Sequence, residues 1–128
     1  MALMQLNGVA KSYPAQNGQI DILRNIDLAV EDGEFVAIVG FSGSGKTTLI
    51  SLMAGLESPT KGTIEFAGSP VTEPGPERGV VFQNYSLMPW LTVEGNIALG
   101  VDSVLGDRPR SERRDIVAHY IEMVGLSH

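Results

Sequence analysis

Gly40-Phe41-Ser42-Gly43-Ser44-Gly45-Lys46-Thr47 places glycines, hydroxyls and one ammonium at the spacing G-x-x-x-x-G-K-[ST]. The chemistry open to such a run is the holding of a polyphosphate. Several phosphate oxygens need several N–H donors converging on them, and only glycine lets a backbone wrap that tightly. Lys46 brings a point charge to the terminal phosphates, and the Thr47 hydroxyl is a hard oxygen of the kind Mg²⁺ accepts. Gly40, Phe41, Ser42, Gly43, Ser44, Gly45, Lys46, Thr47 and the adjoining Thr48 are therefore the expected contacts of a bound nucleotide's phosphates. Phe41, the bulkiest of them, should point outward.

The context such a loop calls for is a strand before it and a helix after it. Residues 34–39, Glu-Phe-Val-Ala-Ile-Val, form a short apolar run that reads as a strand buried on both faces. From Lys46 the period changes: Leu49, Leu52, Met53 and Leu56 fall on one helical face, and Gly55 with Ser58-Pro59 supplies a stop. The first turn of that helix adds unpaired N–H groups and the positive end of its dipole.

Around this centre, residues 3–13 alternate and predict an edge strand, 14–18 a turn, and 20–30 a second strand. A short strand over 62–67 is followed by a proline-rich loop and then by residues 79–83, Gly-Val-Val-Phe-Gln, a second short buried strand. Thr92 reads as the N-cap of a helix carrying Val93, Ile97 and Val101. A last helix starts near Ser111, after Pro109, and is expected to bury Ile116, Val117, Tyr120, Ile121 and Val124.

Composition narrows the classes. The 128 residues are 43% hydrophobic and 19% charged, an ordinary globular balance that argues against disorder. With 9 basic and 15 acidic residues the net charge is −6, which argues against a nucleic acid or an anionic membrane surface as the main partner because those need a basic footprint. The absence of cysteine removes disulfides, thiolate metal sites and cysteine nucleophiles. No apolar run approaches a membrane span, and the start lacks a secretory pattern, so a soluble cytosolic chain is expected.

Three further features make the chain resemble the nucleotide-binding domains of ABC transporters. Lys11-Ser12-Tyr13 stands where that family places an aromatic, residues 79–83 resemble its Q-loop strand, and residues 35–48 are similar to its first core strand and loop. A narrower likeness lies in Pro74-Gly75-Pro76-Glu77-Arg78, in the run from Val81 to Val93 and in Glu112-Arg113-Arg114. These resemble importers for nitrate, bicarbonate, cyanate and sulfonates. The resemblance implies an α/β phosphate-loop fold of the ABC type, truncated. It comprises an N-terminal antiparallel β subdomain with the loop strand and helix (1–88) and the start of a helical subdomain (89–128).

It also implies an ATP-binding subunit that takes ATP with Mg²⁺. Tyr13 would stack on adenine, Lys46 and Gln83 would serve the reacting phosphate and the attacking water, and Thr47 and Gln83 would hold the metal. The implied partners are a second ATP-binding subunit, a transmembrane permease and, indirectly, a solute-binding protein, on the inner face of the membrane. Trp90 either meets the permease or simply packs.

Hydrolysis in that family further needs an L-S-G-G-x segment, an apolar strand ending in Asp-Glu and a histidine on the terminal phosphate; no such segment or strand is found, and neither His119 nor His128 is a candidate. The chain is therefore expected to bind ATP without hydrolysing it alone, and to be marginally stable where its apolar strands lack neighbours. Asp102 ends an apolar run, but Gly100 interrupts it and Ser103 stands where Glu is wanted. Two other readings remain open: a non-catalytic fragment pairing with a full-length homologue, and a small kinase using Arg108, Arg110, Arg113 and Arg114 as a lid.

Overall fold

The alternation along residues 4–9 becomes the centre of a sheet. The structure, a computed structural model, describes Met1–His128 and divides into two compact units, Met1–Val80 and Val81–His128. In the first unit β1 (Met4–Ala15) and β2 (Gly18–Val30) form a long hairpin closed by Gln16 and Asn17. Helix α1 (Lys46–Ala54), β3 (Lys61–Phe66) and the two-residue β4 (Ser69–Pro70) complete it.

The sheet order is β2-β1-β3-β4, every pair antiparallel, with Leu6 opposite both Leu28 and Ile64. Met4, Leu6 and Val9 of β1 join Leu23, Ile64 and, from α1, Leu49 and Leu52 in one buried cluster. Each such side chain contributes roughly 1.5–3 kcal/mol by leaving water.

Two expectations about β1 are corrected. It is an interior strand with partners on both sides, because alternation reports that one face is covered, here by α1, rather than that a strand lies at an edge. Pro14 and Ala15 also belong to β1 rather than to the turn.

The strands expected over 34–39 and 79–83 are absent. Phe35 is 94% exposed and Val81 100% exposed, and Val36, Ile38, Val39 and Phe82 also face solvent. An apolar segment becomes a strand only when another segment takes up its N–H and C=O groups, and no strand of this chain does so. Helix α1 ends as anticipated, with Gly55 at φ 82°, Gly55 N–H donating to Leu52 O and Leu56 N–H to Ser51 O, which satisfies the last carbonyls. Leu56, now beyond the helix, is exposed rather than buried.

The second unit is built on α2 (Val93–Val104) and α3 (Arg110–Met123), which pack on each other and bury Val101 and Val117. Thr92 caps α2 by accepting from Gly95 N–H at 3.0 Å. Asn96 binds the backbone of the preceding loop, accepting from Met88 N–H at 2.8 Å and donating to Met88 O and Thr92 O. Arg113 donates to Asp102 at 2.6 Å and ties the two helices together. Tyr120 and Val124, expected inside, are exposed, because the packed stripe of α3 is narrow and centres on Val117. No helix is long and apolar enough to cross a membrane.

Candidate functional site

The glycine loop opens directly into α1. Gly43 and Gly45 sit at φ 81° and 96°, the left-handed region that turns successive N–H groups toward one side. Gly45 occupies the N-cap without a side-chain bond, so the first-turn N–H groups of α1 are left for a ligand. Two glycines are closely approached by neighbouring side chains. A Cβ on Gly40 would stand 2.7 Å from Ser44 Oγ, and one on Gly45 would stand 2.9 Å from Leu23 Cδ2 of the core. The loop is thus tight at its mouth and seated on the sheet at its base.

Lys46 folds back over the loop. Its Nζ donates to Gly40 O at 2.6 Å, to Phe41 O at 2.7 Å and to Ser44 Oγ at 3.2 Å. The cation is already held where phosphate oxygens could replace these acceptors. Phe41 points outward as expected, Ser42, Gly43, Ser44 and Thr47 are exposed, and Thr48 is half-buried.

Tyr13 lies in the same unit, on β1 opposite Ile20. Its hydroxyl donates to the Glu57 carboxylate, 2.8 and 2.9 Å from the two oxygens. Lys11 Nζ stands 5.1 Å from the ring centroid and donates to Ser58 O at 2.7 Å. Partial burial, then the bond to Glu57 and its negative charge, push the Tyr13 phenol's ionisation up, against a weaker opposite pull from the Thr48 hydroxyl. Sequence reasoning did not find Glu57; the only signal was a carboxylate shortly after the Gly55 stop.

The structure therefore brings Tyr13 and residues 40–48 into one unit, around one helix. Gln83 belongs to the second unit, exposed in a stretch without regular structure. Trp90 of that unit is 77% exposed rather than packed. No cluster of three or more His, Asp or Glu side chains is present, and Asp102 is engaged by Arg113. These donors suit Mg²⁺ held mainly by phosphate oxygens and water, which needs only one or two protein oxygens such as the Thr47 hydroxyl.

A glycine loop of this geometry, running into an uncapped helix laid on a sheet, has the architecture of the phosphate-loop class of proteins. Residues 23–128 match the sequence profile of ABC transporters, and the chain belongs to that family. It is 52% identical over 124 residues to the bicarbonate transport ATP-binding protein CmpC of Synechococcus elongatus, covering 96% of this chain and 19% of that protein. It is 56% identical over 109 residues to the nitrate import ATP-binding protein NrtC of the same organism, covering 85% of this chain and 16% of that protein. Among solved structures, the dimeric post-hydrolysis state of the ATP-binding cassette MJ0796 bound to ADP and Pi superposes with a TM-score of 0.81. The two are 30% identical, over 94% of this chain and 56% of that one. The chain thus spans less than a fifth of the two curated relatives and somewhat over half of the solved cassette. Its fold is that of part of an ABC ATPase cassette.

Proposed function

We propose that the chain binds ATP with Mg²⁺ as part of the ATP-binding subunit of an importer for a small anion of the nitrate or bicarbonate kind. The observation that carries this reading is the Lys46 ammonium clasped by Gly40 O, Phe41 O and Ser44 Oγ over a loop with open N–H groups. That arrangement is a preformed anion cradle, and phosphate oxygens supply stronger, charge-assisted partners than the loop's own carbonyls. The likeness to bicarbonate and nitrate ATP-binding proteins supports the class of cargo.

In this reading residues 40–48 hold the phosphates, Lys46 meets the terminal ones and Tyr13 stacks on adenine. Thr47 and Gln83 hold Mg²⁺, and Gln83 also orients the attacking water. The bound metal would neutralise charge on the phosphates; the chain's own groups bind and orient. Residues 1–88 form the β subdomain with the loop, and 89–128 begin the helical subdomain. A second ATP-binding subunit, a permease and a solute-binding protein complete the importer at the inner face of the membrane. The dimeric state of the solved cassette supports the pairing of two such subunits. The exposed Tyr85, Leu87 and Trp90 supply an apolar surface for the permease. Binding, not turnover, is assigned to these 128 residues on their own.

Calorimetric titration of the chain with MgATP tests the reading. Saturable binding that weakens by about tenfold or more in Lys46→Ala is the expected result. Equal binding by wild type and Lys46→Ala would overturn it.

A further inference from the structure

The turn that follows α1 grips β1 beside Tyr13 at successive positions. Lys11 Nζ donates to Ser58 O at 2.7 Å, Ser12 N–H to Thr60 Oγ1 at 3.0 Å and Thr60 N–H to Ala10 O at 2.8 Å. The Tyr13 hydroxyl is held by both oxygens of Glu57. Tyr13 thus stands between two charges, with the Lys11 cation 5.1 Å from its ring centroid and the Glu57 anion at its hydroxyl. Two consequences follow from elementary geometry. A phenol bonded at its far end loses most of its freedom to swing about χ1 and χ2, so its ring plane is set before any ligand arrives. A cation near the ring leaves a planar ligand less of the ring's surface on which to stack.

We propose that Glu57 is a positioning residue of the nucleotide site: by holding the Tyr13 hydroxyl it fixes the ring as a rigid platform for the base, while the phosphates are bound independently by residues 40–48. This inference rests on the reading of Tyr13 as the base platform. It assigns to Glu57 part of the discrimination between a nucleotide and a bare polyphosphate. The same turn carries Glu57, just past the Gly55 cap and Leu56, beyond the helix whose first residues bear the phosphate loop. The distance from platform to loop is therefore set by α1 rather than by flexible chain.

The test is the ratio of affinities for ATP and for inorganic tripolyphosphate, both with Mg²⁺, measured by calorimetry on the whole 128-residue chain and its variants. Tyr13→Ala removes the ring and should lower the ratio by about tenfold or more, the order of one base-stacking contact. Glu57→Ala and Tyr13→Phe should each lower it by about threefold to tenfold, and the double variant no further than either alone, since both delete one bond. Glu57→Gln, which still offers an acceptor oxygen, should recover most of the ratio. If Tyr13→Ala lowers the ratio but Glu57→Ala and Tyr13→Phe leave it at the wild-type value, the positioning role is overturned and the platform stands. If Tyr13→Ala itself leaves the ratio at that value, the platform reading fails and takes this inference with it. If Glu57→Ala weakens ATP and tripolyphosphate equally, Glu57 serves the fold and the inference is likewise overturned.

Discussion

The Lys46 ammonium lies 2.6 Å from the carbonyl of Gly40, six residues back along the chain, so the loop's one cation closes over the loop itself. Carbonyls converging on a single point suit a compact ammonium and not a planar guanidinium, whose donors spread in a fixed fork. Lys46→Arg should keep the charge yet still weaken MgATP binding by about tenfold, read by calorimetry. Full binding by the arginine variant would show that charge alone, and not its placement, is what the loop uses.

Asn96 holds the segment before α2 through its bonds to the backbone of Met88 and Thr92. Removing its side chain leaves a half-buried N–H and carbonyl of Met88 without those partners. Asn96→Ala should lower the unfolding free energy of the second unit by about 1–3 kcal/mol. Trp90, the sole tryptophan, lies within the pinned segment, so urea unfolding followed by its fluorescence reports the loss.

The Tyr13 phenol ionises above its ordinary range, raised first by burial and then by Glu57, with Lys11 as the nearby cation and Thr48 opposing in part. Its folded ionisation point therefore lies above the unfolded one. Between the two, the unfolded chain holds fewer protons at this phenol than the folded one, so unfolding becomes easier as pH rises. The contribution is intact below about pH 10 and is lost as pH climbs through the folded value. Absorbance at the phenolate band, with Tyr13→Phe as the blank, should show the Tyr13 component moving to lower pH in Glu57→Ala. A component that stays in place would mean that burial alone sets it.

The apolar run over 34–39 and its counterpart at 80–82 carry side chains as exposed as Phe35 and Val81. Each forgoes roughly 1.5–3 kcal/mol of burial and presents backbone groups to any passing strand. The isolated chain should scatter light increasingly with concentration and bind a hydrophobic dye. A Phe35→Asp, Val81→Lys variant should do so less. A monodisperse monomer with a sharp thermal transition would contradict this.

Much of the site was legible along the chain because its parts are contiguous. The start of α1 at Lys46, the Gly55 stop and the Thr92 cap each depend on residues a few positions apart, and each is found as read. The partner of Tyr13 was not legible. Glu57 lies 44 residues away, and nothing in the spacing of either residue announces the other.

Local patterns decided which segments are helical and where α1 begins and ends, since dihedral preferences and capping bonds act within one or two turns. The tertiary structure alone decided that β1 lies inside the sheet, because strand order is a matter of which distant segment returns alongside. It likewise decided that residues 34–39, as apolar as any strand, remain unpaired, since a ladder's hydrogen bonds come from a neighbour and not from the segment's own composition.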